Sequence, residues 1–222
     1  MVLDSSPAYS AGPRTTPTRL AERARYDRAA VHAILDADYI CHLGFVADGA
    51  PVVLPTMYAR VGERLYLHGS TGSRPLHAAR ECLRVCVTVT LNDGVVLARS
   101  AFHHSINYRS VMAHGIAHRV VDEQERRMAL DALVNAPFPG RADDCRPPTP
   151  KELAKTAVIR LDLADVSAKV RTGGVGDDPE DLGLPHWAGV VPTTRGFAPP
   201  VTDDQGTGPV TAPVPDYVRQ AL

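Results

Sequence analysis

The chain has 222 residues, 44% of them hydrophobic, enough for one full core and little more. Twenty-four basic residues against 25 acidic ones leave a formal charge of -1, so no global field exists to gather nucleic acid or anionic lipid. No run approaches the roughly 20 apolar residues of a membrane-spanning helix, and the first residues lack the basic-then-apolar order of a signal peptide, so a cytoplasmic protein with no membrane partner is expected.

Residues 1–18, with Pro7, Pro13 and Pro17 among small polar residues, are expected to form a flexible leader. Asp27 then caps a helix through Leu35, with Ala30, Val31, Ile34 and Leu35 on one face. After that helix the hydrophobic period changes to two. Tyr39–Val46, Val52–Arg60 and Arg64–Gly69 read as strands, separated by the hairpin signals Asp48-Gly49 and Gly62. Ser73 can cap a short helix over 75–81, and Val85–Leu91 alternates as a half-buried strand ending at a turn, Asn92-Asp93-Gly94. Val95–Ala101 and Tyr108–Val121 continue as strands, Asp122 starts a helix through Val134, and Thr156–Arg171 is a last long strand interrupted near Asp165.

Six or more strands joined by short turns predict a mainly β protein, a closed antiparallel barrel with peripheral helices. From Phe197 onward Pro199, Pro200, Pro209, Pro213 and Pro215 predict a second extension outside the domain, leaving residues 19–196 as its folded part. Cys41, Cys82, Cys86 and Cys145 lack the spacing of a zinc or redox motif and are expected to be reduced thiols.

The most chemically loaded stretch runs from Leu65 to Leu76, where a strand enters small hydroxyl residues and glycines and a helix opens with an arginine. Backbone N–H groups, hydroxyls and a guanidinium gathered at one point suit a phosphate monoester; the G-K-[ST] ending of a Walker loop is absent. No metal site is expected. His103 and His104 point to opposite faces if extended, and His114 and His118 would stand roughly 13 Å apart along a strand.

The order Pro51-Val52-Val53-Leu54-Pro55-Thr56-Met57-Tyr58, then Leu65-Tyr66-Leu67-His68-Gly69-Ser70 with Ser73-Arg74, then Ser100 to Val111 containing Asn107-Tyr108-Arg109-Ser110, resembles the pyridoxamine 5'-phosphate oxidase-like superfamily. Within it the chain is similar to the flavin-nucleotide-binding branch that includes nitroimidazole-resistance proteins, over about residues 20–195. The resemblance implies an antiparallel split β-barrel of about six strands, a homodimer, and FMN in a cleft at the subunit interface. It places the phosphate on His68, Ser73 and Arg74 with Thr71 and Gly72, and the flavin ring along Pro55, Thr56, Met57 and Tyr58. Tyr108, Arg109 and Ser110 fall where relatives send polar side chains toward the flavin, and Trp187 is a candidate cover for it.

The ending of this domain, Leu184-Pro185-His186-Trp187-Ala188-Gly189, departs from the signature of true pyridoxamine phosphate oxidases, so vitamin B6 oxidation is not expected. The function implied is an FMN-dependent oxidoreductase passing hydride or electrons to a small-molecule acceptor, nitroaromatic or quinone-like. The alternatives are a non-catalytic binder of flavin or haem, with His68, His103 or His104 as axial candidates, and use of coenzyme F420. No residue is assigned a catalytic role, because a flavin carries the redox chemistry itself.

Overall fold

The computed structural model describes residues 7–73, 82–203 and 213–221. Helix α1 (Arg28–Leu35) begins where the Asp27 carboxylate accepts the Ala30 N–H, and it buries Val31, Ile34 and Leu35. Among the described residues there are nine strands: β1 (Ala24–Arg25), β2 (Ile40–Ala47), β3 (Ala50–Val61), β4 (Arg64–Ser70), β5 (Leu83–Leu97), β6 (Ser105–Arg119), β7 (Thr156–Asp162), β8 (Asp165–Arg171) and β9 (Gly189–Pro192). Further helices are α2 (Glu123–Asn135), α3 (Pro150–Lys155) and α4 (Asp216–Arg219). No helix among the described residues is long and apolar enough to cross a membrane.

The pairings run β6-β7-β4-β3-β2-β5 and return from β5 to β6, closing six strands into a ring. This is the antiparallel split barrel the sequence implied. The split is visible in β3, whose residues Ala50 to Met57 pair with β2 while Tyr58 to Val61 pair with β4. The hand-off falls between Met57 and Tyr58. Inside the ring, alternate residues of every strand form the main core, among them Leu43, Leu65, Leu67, Val87, Val89, Val111, Ile159 and Leu161. A satellite cluster of Tyr66, Val120, Ala129 and Val158 fastens α2 to the opposite face of β4 and β7.

Asp48 and Gly49 both have positive φ, 51° and 76°, the type I′ geometry expected for the β2–β3 hairpin. Asn92-Asp93-Gly94 behaves differently from the turn read in the sequence. Strand β5 runs straight through it with a register shift between Asn92 and Gly94, a bulge. Gly94 has φ 158°, and a Cβ there would stand 2.9 Å from the Val191 carbonyl oxygen of β9, so the glycine permits strand approach and not chain reversal. The helix expected over 75–81 lies outside the described residues.

Residues 7–18 are docked, in contrast to the leader expected there. Tyr9 is buried, donates its N–H to the Tyr26 carbonyl, and donates its hydroxyl to Glu63 at 2.7 Å, while Arg28 stacks 4.2 Å above its ring. Arg14 pairs with Asp165. The composition of the segment hid one aromatic anchor, and one buried ring is enough to hold a short polar stretch in place. The far end is likewise attached: Phe197 packs on Phe138 with ring centroids 4.7 Å apart, and the Tyr217 hydroxyl donates to Asp144 at 2.7 Å.

Candidate functional site

Strand alternation builds the floor of the candidate site. Tyr58 and Leu67 are directly paired across β3 and β4 and both point into the core, so their neighbours Met57 and His68 emerge side by side on the outer face. Ser70 pairs with Thr156 on β7, which extends this floor by one strand. Helix α2 forms one wall with Leu130, Leu133 and Val134; α3 contributes Glu152 and Leu153; loop 136–149 closes over them with Pro137, Arg146 and Pro147. The result is a cleft of about 790 Å³, within the roughly 300–1,000 Å³ typical of cofactor and ligand pockets.

Glu125 fixes the α2 wall. Its carboxylate accepts the Tyr66 hydroxyl at 2.8 Å and Arg160 at 3.1 Å, tying the first turn of the helix to the strands beneath. A capping box fixes α3: Thr149 accepts the Glu152 N–H and Glu152 accepts the Thr149 N–H. Arg146 adds a two-pronged pair to the same carboxylate at 2.8 and 3.1 Å, and together with the Thr149 contacts this holds the Glu152 carboxyl down at about 2.

His68 makes no hydrogen bond or ion pair with any described residue. Although its edge reaches solvent, the cleft atoms around the ring disfavour the charged form and hold its pKa below the ordinary imidazole value. Its lowered pKa favours the neutral ring, whose nitrogens, unpartnered among the described residues, can ligate a metal or hydrogen-bond a ligand, in a cleft that mixes apolar side chains with Asp131, Asp143, Arg146 and Glu152.

The other candidate residues are dispersed around this point. Thr71, Gly72 and Ser73 lie just beyond the floor in a turn that satisfies itself: Thr71 N–H reaches the Lys155 carbonyl at 3.0 Å, Gly72 N–H the Ser70 hydroxyl at 3.3 Å, and both the N–H and the hydroxyl of Ser73 reach the Ser70 carbonyl. Arg74 lies outside the described residues. Pro55 is exposed on the outer face opposite His42, and Thr56 is half-buried opposite Cys41. Tyr58 is placed in the core, 1% exposed, its hydroxyl donating to the Leu35 carbonyl at the end of α1. Of the segment the resemblance aligned with the flavin ring, Met57 lines this cleft and the Tyr58 side chain does not.

Tyr108, Arg109 and Ser110 lie on β6 away from the cleft. Arg109 forms a two-pronged pair with Asp93 at 2.8 and 2.9 Å in a separate hollow of about 500 Å³, and the Ser110 hydroxyl donates to the Lys169 carbonyl at 3.3 Å. Trp187 is 67% exposed and lies against Gly189. His103 is engaged with Asp178 at 3.0 Å and His104 with the Ser100 carbonyl at 3.0 Å, which leaves neither ring as open as that of His68. The residues missed in the sequence are those of the wall and roof. Their signal was present in Thr149-Pro150-Lys151-Glu152, a helix start behind two prolines, and in the apolar spacing of Leu130, Leu133 and Val134.

Comparison with known proteins places this geometry among relatives. The chain is 39% identical to the flavocytochrome Anf3 of Azotobacter vinelandii, covering 96% of this chain and 99% of that one with a TM-score of 0.88. It is 37% identical to the FAD and haem binding protein of Mycobacterium smegmatis, covering 90% and 97% with a TM-score of 0.83. A candidate 5-nitroimidazole antibiotic resistance protein of Bacteroides thetaiotaomicron, 21% identical over 66% of this chain and 86% of its own with a TM-score of 0.57, shares the fold. No curated protein matches the chain. Residues 27–170 match the family described as pyridoxamine 5'-phosphate oxidase. The split barrel, its sequence motifs and these matches agree, and the chain belongs to the pyridoxamine 5'-phosphate oxidase family.

Proposed function

We propose that this protein is a flavin- and haem-carrying redox protein that passes electrons to a small-molecule acceptor, with haem in the His68 cleft and the flavin beside it. The observation that carries this reading is the likeness over nearly the whole chain to two proteins named for such cofactors. The cleft supports it. Met57, Leu130, Leu133, Val134 and Leu153 offer an apolar slot, and His68 offers a neutral nitrogen. The flavin phosphate takes the turn after β4, Ser70 to Ser73, which Arg74 follows in the sequence. Because Ser73 is already bonded within the turn, Arg74 supplies the charge that meets the flavin phosphate. His68 lies on β4 and the turn follows directly from the end of that strand at Ser70, which supports neighbouring sites.

When bound, the two cofactors supply the electron-transfer chemistry. The chain's own residues would hold them: the α2 wall lines one side of the slot, and Glu152 keeps Arg146 in place on its lining. The flavin is FAD, as in the Mycobacterium relative, in place of the FMN implied by the sequence motifs. An absorption spectrum of the purified protein tests the reading, with flavin bands and a Soret band expected together. Chromatography of the extracted flavin separates FAD from FMN and from F420. A colourless protein that gains no thermal stability from added flavin or haemin refutes it. Arg74→Ala should weaken flavin binding by about 1.5 to 3 kcal/mol, roughly 10- to 150-fold, as measured by fluorescence titration.

The assembly is a homodimer through the outer sheet face. Ile40, Val46, Val53, Met112 and Ile116 point outward from β2, β3 and β6, with Arg84, Thr88 and His114 between them on the same face, and Val46 and Val53 are 65% and 63% exposed. Exposed apolar side chains on one sheet face with a polar surround support this reading. Val53→Asp is expected to shift the protein from dimer to monomer in size-exclusion chromatography with light scattering, leaving the barrel folded.

A further inference from the structure

Loop 136–149 lines the His68 cleft and is held partly by itself: Arg141 N–H reaches the Phe138 carbonyl at 3.1 Å and Asp144 N–H the Arg141 carbonyl at 3.2 Å, Ala142 N–H reaches the Asn135 side chain at 2.7 Å, and Arg146 pairs with Glu152 near its end. Positions 139–141 and 143–147 of the loop are exposed. What lies across it comes from much later in the chain. Phe197 stacks on Phe138 at 4.7 Å between centroids, with the rings tilted by 36°. The Tyr217 hydroxyl donates to Asp144 at 2.7 Å and accepts from Arg141 at 3.4 Å, while Arg141 itself reaches Asp144 at 3.5 Å. The Tyr217 ring lies over Gly140, whose Cβ, if built, would meet it at 3.8 Å. Four positions of the roof, 138, 140, 141 and 144, are thus held by two aromatic residues.

We infer that the C-terminal segment is a clasp for the cleft: Phe197 and Tyr217 hold loop 136–149 closed, and exchange of whatever occupies the cleft requires their release. The contacts are of a kind that can open. Arg141 and Asp144 are each about half exposed, so their bonds to Tyr217 compete with water and are individually modest. Among the described residues of the C-terminal segment none belongs to a strand of the sheet, so Phe197 and Tyr217 can detach while the barrel stays folded. This inference rests on the cleft's geometry and holds whichever cofactor the cleft takes.

Limited trypsin digestion of the full-length protein tests it. The Arg141–Ala142 bond lies in the clasped part of the roof, whereas Arg146 is followed by Pro147 and resists the protease. Cleavage after Arg141 reports the open population when opening is fast compared with cutting. Tyr217→Ala should raise that cleavage rate about five- to tenfold with cuts elsewhere in the chain and the melting temperature unchanged. Tyr217→Phe, which keeps the ring over Gly140, should lie between it and the wild type. Phe197→Ala should reproduce the effect from the other side. Cleavage within twofold of wild type in both alanine variants, or a wild-type Arg141 bond cut as fast as in Tyr217→Ala, overturns the clasp. Haemin uptake by the haem-free protein separates this result from the cofactor assignment. Faster uptake in Tyr217→Ala supports both, while faster cleavage with unchanged uptake keeps the clasp and removes haem from the cleft.

Discussion

Tyr58→Phe is expected to destabilise the protein by about 1 to 3 kcal/mol and to leave its flavin and haem content per folded molecule unchanged. The phenol ring is fully enclosed, and its hydroxyl donates to the carbonyl of Leu35, the last residue of α1. That carbonyl belongs to the final turn, where the helix has no N–H of its own to offer. Removing the hydroxyl strands the oxygen in a dry core, and the cost is that of an unmet buried acceptor. For a chain of this length the loss corresponds to a melting temperature lower by roughly 2 to 12 °C. Tyr58→Ala adds a cavity between α1 and the barrel and should cost about 3 to 5 kcal/mol. Burial, with Cys41 and the carboxylates of Asp38 and Asp36 nearby, raises the phenol pKa far above its ordinary value, so none of this loss should vary with pH below 10. A cofactor-lining tyrosine would give the opposite pattern, weaker flavin binding at nearly unchanged stability.

Tyr58 also illustrates where sequence reading stops. The alternation along β3 was plain from Val52 to Arg60, and it was one of the six or more strand-like runs whose short connections predicted a barrel. Family motifs placed Pro55 to Tyr58 together as one ring-facing segment, yet a strand sends successive side chains to opposite faces. Met57 and Tyr58 therefore part company, and the hand-off of β3 from one neighbour to the next sets which of them reaches the cleft. His68 and Met57 were both named through the family motifs, and the structure puts both on the outer parity of paired strands, where they line one cleft. The wall and roof were harder to see because they depend on contacts across long sequence separations. Glu125 binding Tyr66 and Arg160, or Tyr217 binding Asp144, leaves no periodic trace. Asn92-Asp93-Gly94 shows a related limit: turn chemistry and bulge chemistry use the same residues, and β9 passing over Gly94 decides between them.

His68→Ala should abolish most of the haem signal, leaving less than about a tenth of the Soret absorbance per protein, while flavin content stays near its wild-type level. The ring has no hydrogen-bond partner among the described residues, so its removal should change stability by no more than about 0.5 kcal/mol. A loss of haem then reflects a missing ligand and not a damaged fold. Free imidazole added to the variant should restore part of the Soret band by occupying the space the side chain vacates. The pH dependence follows from the direction of the His68 shift. Iron needs the neutral ring, and desolvation already favours that form, so the folded pKa lies below the ordinary 6.5. Haem affinity should therefore be level at pH values above about 6.5 and decline as the pH falls through the lowered value, because protonation then competes with the iron. A Soret titration of the wild type between pH 8 and 5 reads this directly. If affinity already falls between pH 8 and 7, or if the alanine variant keeps its Soret band, the iron is held elsewhere. Loss of flavin with retention of haem would reassign the floor of the cleft, with Met57 and His68, to the flavin ring.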